Sequence, residues 1–282
     1  MTSVQRLAGL LALLALVLVV GCSSSSSSSS SSDEPEAASS PRASVTPEPP
    51  APEAPAAGSC HALTVREATD PVDTGRAVPC SRRHTTVTVK VGDIDPVVDG
   101  HLLAIDSRTV RARIEDSCPD TPGAYLGGDE TAKRLSRFEV VWFSPSLEQA
   151  DAGANWFRCD IVAVRSEGRL LPLPTKLKGI LDQDGALDRF GTCGTASAPT
   201  ARGFQRVICS EPHRSRAISV VDLPKDAGYR DKGVEAQANS TCKDAAAQRA
   251  KGELKYSWTF EWPTRDQWAA GQRYGYCWVP EG

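Results

Sequence analysis

No run of this 282-residue chain is apolar for long enough to cross a bilayer comfortably. The longest, Leu7 to Val20, covers 14 positions, short of the roughly 20 that a spanning helix needs. A surplus of positive charge is also absent. Of 32 basic and 35 acidic side chains, the first 59 residues hold Arg6 and Arg42 against Asp33, Glu34, Glu36, Glu48 and Glu53, so the remainder is balanced. A neutral body argues against a nucleic-acid binder and against a polybasic membrane-surface protein. Close cysteine pairs are missing: the nearest two lie sixteen residues apart, which disfavours structural zinc and C-x-x-C thiol exchange. The chain also lacks G-x-S-x-G, G-x-x-x-x-G-K-[ST], H-E-x-x-H and a dinucleotide loop. Ser240-Thr-Cys-Lys243 spells S-x-x-K, but no K-T-G or S-D-N follows it. The expectation is a protein without cofactor or metal, and not an enzyme.

What is present begins with a leader. Arg6 precedes the apolar run, which ends in Val19-Val20-Gly21-Cys22. This resembles the bacterial lipobox, in which the cysteine receives a diacylglyceryl group and becomes the mature N-terminus. The resemblance implies a signal peptide over 1–21, lipidation of Cys22, and residence on the extracytoplasmic face of the cell membrane. Ser23–Ser32 is an uninterrupted serine tract, and seven prolines fall between Asp33 and Gly58. Neither stretch has the apolar content to offset ordering entropy, so 22–59 reads as a lipidated, disordered tether.

The other eight cysteines form two quartets, at 60, 80, 118 and 159, and at 193, 209, 242 and 277. Both follow one short and two long gaps, the mark of an internal repeat. Cys80-Ser-Arg-Arg-His84 and Cys209-Ser-Glu-Pro-His213 each run into β-branched residues, TTVTVKV and AISVVDL. PSLEQADAGANWFRC (Pro145–Cys159) aligns without a gap on PTRDQWAAGQRYGYC (Pro263–Cys277). In an exported chain an even cysteine count is a disulfide framework. Pairing confined within each quartet and identical in both leaves three patterns. The favoured one joins Cys60–Cys80, Cys118–Cys159, Cys193–Cys209 and Cys242–Cys277, closing a hairpin and tying a helix end to the last strand.

The aligned segment carries its own local physics. Ser146 and Thr264 are N-cap residues with Gln149 and Gln267 three positions on, a capping box. Gly153 and Gly271 fall where a short helix ends in a left-handed turn. Strands are expected at 138–143 and 256–262 before the boxes and on the cysteine side after them, with helices at about 108–117 and 233–241. The fold class is α+β: two tandem, disulfide-stapled domains, 60–170 and 171–282, each an antiparallel sheet with one longer and one short helix.

These features resemble the actinobacterial family named for septum formation, which shares the C-x-x-x-H step and the P-[ST]-x-x-Q/W-x-x-G segment ending in cysteine. The resemblance implies an exported, membrane-tied protein associated with division, with no established chemistry.

Three side chains stand out as candidate binding residues. His84 and His213 occupy one place in both repeats, where an imidazole faces a ligand or caps a turn beside the disulfide. His61 and His101 have no counterparts and are read as solvated. Trp258, Phe260 and Trp262 share one face by alternation and are assigned to the core. Trp268, on an exposed short helix, is the interface candidate. The function expected is binding or scaffolding in the cell envelope, with division proteins, other envelope proteins or wall glycan as partners and no nucleic acid. The alternatives are a peptidoglycan-active enzyme or inhibitor, marked by a pocket joining His213 to Asp266, and a small-ligand sensor.

Overall fold

β-branched runs, separated by capped helices and glycine turns, fold into two antiparallel sheets. The computed structural model describes residues 50–72, 75–118, 123–252 and 255–281. The leader, Cys22 and nearly all of the tether lie outside them. In chain order the strands are β1 (Cys60–His61), β2 (Thr86–Asp93), β3 (Val97–Val98), β4 (His101–Leu102), β5 (Phe138–Phe143), β6 (Trp156–Ser166) and β7 (Arg169–Leu170). They continue as β8 (Thr192–Gly194), β9 (Arg206–Ile208), β10 (Ser215–Asp222), β11 (Thr259–Glu261) and β12 (Tyr274–Pro280). The helices are α1 (Val65–Ala68), α2 (Arg108–Ser117), α3 (Gly123–Leu126), α4 (Glu130–Leu135), α5 (Leu147–Asp151), α6 (Ala186–Phe190), α7 (Lys232–Arg249) and α8 (Arg265–Ala269). None of the described helices is long and apolar enough to cross a membrane.

The first sheet runs β1-β2-β6-β5, with β7 added to β6. The second runs β11-β12-β10-β8-β9, which is the same order read backwards with β9 at its edge. Register matches as well. Thr88 faces Asp160 and Lys90 faces Cys159, so Val89 is bulged out. In the second sheet Ala217 faces Trp278 and Ser219 faces Cys277, bulging Ile218 at the corresponding place. Among the described residues four disulfides join Cys60 to Cys80, Cys118 to Cys159, Cys193 to Cys209 and Cys242 to Cys277.

Both capping boxes are formed, by Ser146 with Gln149 and by Thr264 with Gln267. Gly153 and Gly271 follow their short helices at φ of 92° and 97°. Helix α2 stops at Cys118 because Pro119 follows it in the sequence, and the residue before proline is pushed out of helical conformation; Cys118 has ψ of 136°. No such stop follows Cys242. Strong helix formers, Ala245 to Arg249, carry α7 on to Arg249, so the cysteine lies mid-helix and the helix is longer than the sequence suggested.

The largest core cluster ignores the boundary drawn at 170/171. Val87, Phe138 and Ile161 of the first sheet pack with Leu173, Leu177, Ile180 and Phe190 and with Ile208 of β9. The leucine-rich stretch after β7 thus finds its apolar partners on the first sheet. Residues 48–282 cluster as one compact unit.

On the opposite face of β6 the pattern departs from a solvated strand. Arg158 and Asp160 are 1 % and 0 % exposed. Arg158 Nε lies 3.3 Å from Asp160 Oδ1, and its guanidinium sits 4.4 Å from the centre of the Phe143 ring. Thr86 and Thr88 donate their hydroxyls to the two carboxylate oxygens at 2.9 and 2.8 Å. His61, read as solvated, is buried here instead, with Nε2 3.0 Å from the Arg158 guanidinium. Burial pushes the Asp160 carboxyl up, and the attraction of Arg158 and the two hydroxyls only partly offsets it. Removing one partner strands the other charge in a dry site. Asp160→Ala should therefore cost about 3–5 kcal/mol, and adding Arg158→Met should recover about 1 kcal/mol or more. Urea denaturation of the oxidised protein measures both; strictly additive losses would show that the two side chains do not act as a pair.

Candidate functional site

The two candidate histidines arise from one local turn. Four residues after Cys80 and after Cys209 the chain enters its long strand, and the imidazole folds back over that entry. His84 Nδ1 lies 2.8 Å from the Arg82 carbonyl, and His213 Nδ1 lies 2.7 Å from the Glu211 carbonyl. A carbonyl only accepts, so Nδ1 is the donor in each ring. Beyond the turn their surroundings differ. His84 is 1 % exposed, and its Nε2 has no hydrogen-bond partner among the described residues.

His213 is instead half-open to solvent, with Nε2 3.0 Å from Glu281 Oε2. Both of its ring nitrogens lie against oxygen atoms, of the Glu211 carbonyl and the Glu281 carboxylate. Glu281 also takes hydrogen bonds from Arg216 Nε at 3.0 and 3.1 Å and from Arg249 at the end of α7. Arg216 reaches on to Asp188 at 2.9 Å. Burial pushes the Glu281 carboxyl up, but the hydrogen bonds from Arg216, Arg249 and His213 outweigh it and hold it below the usual range. Cys193, His213 and Glu281 place ligand-type atoms within 4.8 Å of one another. The Cys193 sulfur is bonded to Cys209 and the carboxylate is held by two guanidinium groups, so the arrangement is an ion-pair network tying β10, β12 and α7. Asp266 takes no part; it is exposed in the first turn of α8.

Trp268 is half-buried rather than exposed, because α8 turns it onto other rings. Its indole stacks on Trp262 at 5.7 Å between centroids and meets Tyr229 at 5.8 Å. The Arg273 guanidinium lies 4.0 Å from its centre, and that of Arg265 lies 4.7 Å from the centre of Tyr229. Of the three rings assigned to the core, Trp262 is buried, while Trp258 and Phe260 are only half-buried. Beyond Arg273 opens a groove of about 710 Å³. Arg134, Lys225, Gln267, Gln272 and Tyr274 line it. Arg134 is oriented by Asp222 at 2.6 Å and lies 4.5 Å over the Tyr274 ring. Glu130 and Asp222 line it too, so the site joins an aromatic–guanidinium surface to a trough of amide, cationic and carboxylate side chains. Its chemistry suits stacking and hydrogen bonding to a polar partner.

Sequence reasoning missed Tyr229 and Arg273, which meet Trp268, and Arg134, which tertiary packing brings to the groove over Tyr274. It also missed the buried Arg158–Asp160 cluster. The signal was present: opposite charges two apart on a strand, facing threonines two apart on its neighbour. Trp268 and the groove come together, while His84 and His213 sit elsewhere. Cys22 lies outside the described residues.

A family model described as "Septum formation" matches residues 57–277 of the chain. No curated protein and no solved structure matches it.

The Glu281 network carries a pH signature. A carboxyl held below its ordinary value in the folded state adds stability above that value and loses it as pH falls through the depressed one. Thermal melts between about pH 6 and pH 3 should therefore show the melting temperature dropping on acidification, with a shallower drop in Glu281→Gln. Parallel curves for the two proteins would mean that the network is not coupled to folding.

Proposed function

This chain belongs to the septum-formation family, and from that premise we propose that it is a lipid-anchored, extracytoplasmic binding or scaffolding protein of the cell envelope. In this reading Trp268 and the adjoining groove are its contact surface. The family supports a role in division or the envelope. The observation that carries the binding surface is the half-buried indole of Trp268, held between Trp262 and the Arg273 guanidinium at the rim of a polar trough. Aromatic rings and guanidinium groups are the side chains that dominate binding energy at interfaces. We infer further that the two halves are copies of one unit, supported by the common strand order, bulge, histidine turn and capping box. The reading assigns the chain no catalytic step. The lipobox-like Val19–Cys22 and the polar stretch after it support an anchor with a spacer, which sets the body away from the lipid and within the wall layer.

Two experiments test this. Replacing Cys22 with serine should move the protein from the membrane fraction to the soluble one; unchanged membrane association would remove the anchor from the proposal. In cells, a photo-crosslinker at Gln272 should capture a division or wall-synthesis protein, and Trp268→Ala should abolish the capture. Recovery of the protein alone, or capture that survives Trp268→Ala in a folded variant, would overturn the assignment of the surface.

A further inference from the structure

The first half holds an apolar groove at the place where the second half carries a tryptophan. Aligned through their capping boxes, α5 and α8 place Ala150 where Trp268 stands. The loop after each long strand covers its short helix in the same way: Ile94 N–H donates to the Asn155 carbonyl, and Leu223 N–H donates to that of Arg273. In the second half Tyr229 of that loop closes over Trp268. In the first half no large ring occupies this place, and a groove of about 360 Å³ stays open over Ala150. Ile94, Leu102, Leu103, Ile105 and Leu147 wall it. Leu102 is 78 % exposed and Leu147 51 % exposed, and with Val97, the strand partner of Leu102, they are the large apolar side chains most open to solvent among the described residues. Apolar side chains gathered around a concavity mark a site of contact.

The rim adds a charge preference. Asp151 lines the groove, and Asp95, Asp106 and Glu148, all exposed, each follow directly on a lining residue. None of the four carboxylates forms an ion pair among the described residues; that of Asp95 accepts the Val97 N–H, while the Arg113 guanidinium donates to the Asp95 and Val97 carbonyls instead. We propose that this groove docks a partner segment that inserts one aromatic side chain flanked by lysine or arginine. The aromatic follows from the indole that fills the matching place in the second half, where Arg273 and Arg265 accompany the rings. The basic flanks follow from Asp151 on the groove and from the exposed, unpaired carboxylates of Asp95, Asp106 and Glu148 next in sequence to its lining residues. The surface is separate from the one centred on Trp268, so either assignment stands without the other.

The test uses the full chain with labelled leucine and isoleucine methyl groups, titrated with the peptide Ac-Lys-Arg-Trp-Arg-Lys-amide while NMR shifts are followed. Shifts should concentrate on Leu102, Leu103, Leu147 and Ile105, and Trp268→Ala should leave them in place. Ala150→Trp, which plugs the groove, and Leu102→Ser, a change at a solvent-open position that the fold tolerates, should each weaken binding about tenfold or more. The peptide with glutamates in place of its basic residues should not bind. Absence of shifts at these methyls, or equal binding of the acidic peptide, would overturn the proposal. So would leucine shifts that follow protein concentration without peptide, which would assign the groove to a second copy of the chain.

Discussion

The bond between Cys242 and Cys277 holds together a helix and a sheet that have little else to hold them. Helix α7 buries only Ala238, Cys242 and Ala246, small side chains that withdraw little apolar area from water at about 25 cal/mol per Å². A cross-link contributing about 2–4 kcal/mol in the chain-entropy picture replaces that missing contact. It lands on a fully buried cysteine in the middle of β12, so the helix is pinned to the centre of its sheet. Once α7 is fixed, Arg249 at its end can reach Glu281 and join the network around His213. Helix α2 depends less on its own bond, since Val110 and Ile114 are buried beside Cys118.

The two sheets share a skeleton and differ in what fills it. Where the first half buries Arg158 and Asp160, the second places Tyr276 and Trp278. The Trp278 Nε1–H donates to Glu261 at 2.9 Å, and Glu261 pairs with Arg206 at 2.7 Å. Charge therefore sits inside the first sheet face and at the edge of the second. The same exchange recurs on the short helices, where alanine faces one loop and tryptophan the other. Bulge, capping boxes and disulfides are backbone-level constraints and coincide; side chains that meet only tertiary neighbours differ.

That division also explains what could be read from the sequence. The short helices were legible because a capping box and a C-terminal glycine are local signals, and disulfide bonding because the cysteine count was even and the spacing recurred. The strand at 138–143 was legible to the residue. The strand expected over 256–262 is paired only at Thr259–Glu261, since pairing ends where Thr259 faces Trp278. His61 was misread because nothing next to Cys60 signals the arginine ninety-seven residues away that accompanies it. The 170/171 boundary followed the repeat, whereas the core followed apolar side chains to the nearest open face.

The joint cluster of Val87, Phe138, Ile161, Phe190 and Ile208 bears on where such a chain can be divided. Ile208 comes from the second sheet and packs among residues of the first, so a substitution there is felt on both sides. A chain cut at 170/171 would leave the apolar face of the first sheet without Leu173, Leu177, Ile180, Phe190 and Ile208 to cover it. The two sides of that boundary are therefore bound to each other through one core, while their outer surfaces differ in chemistry.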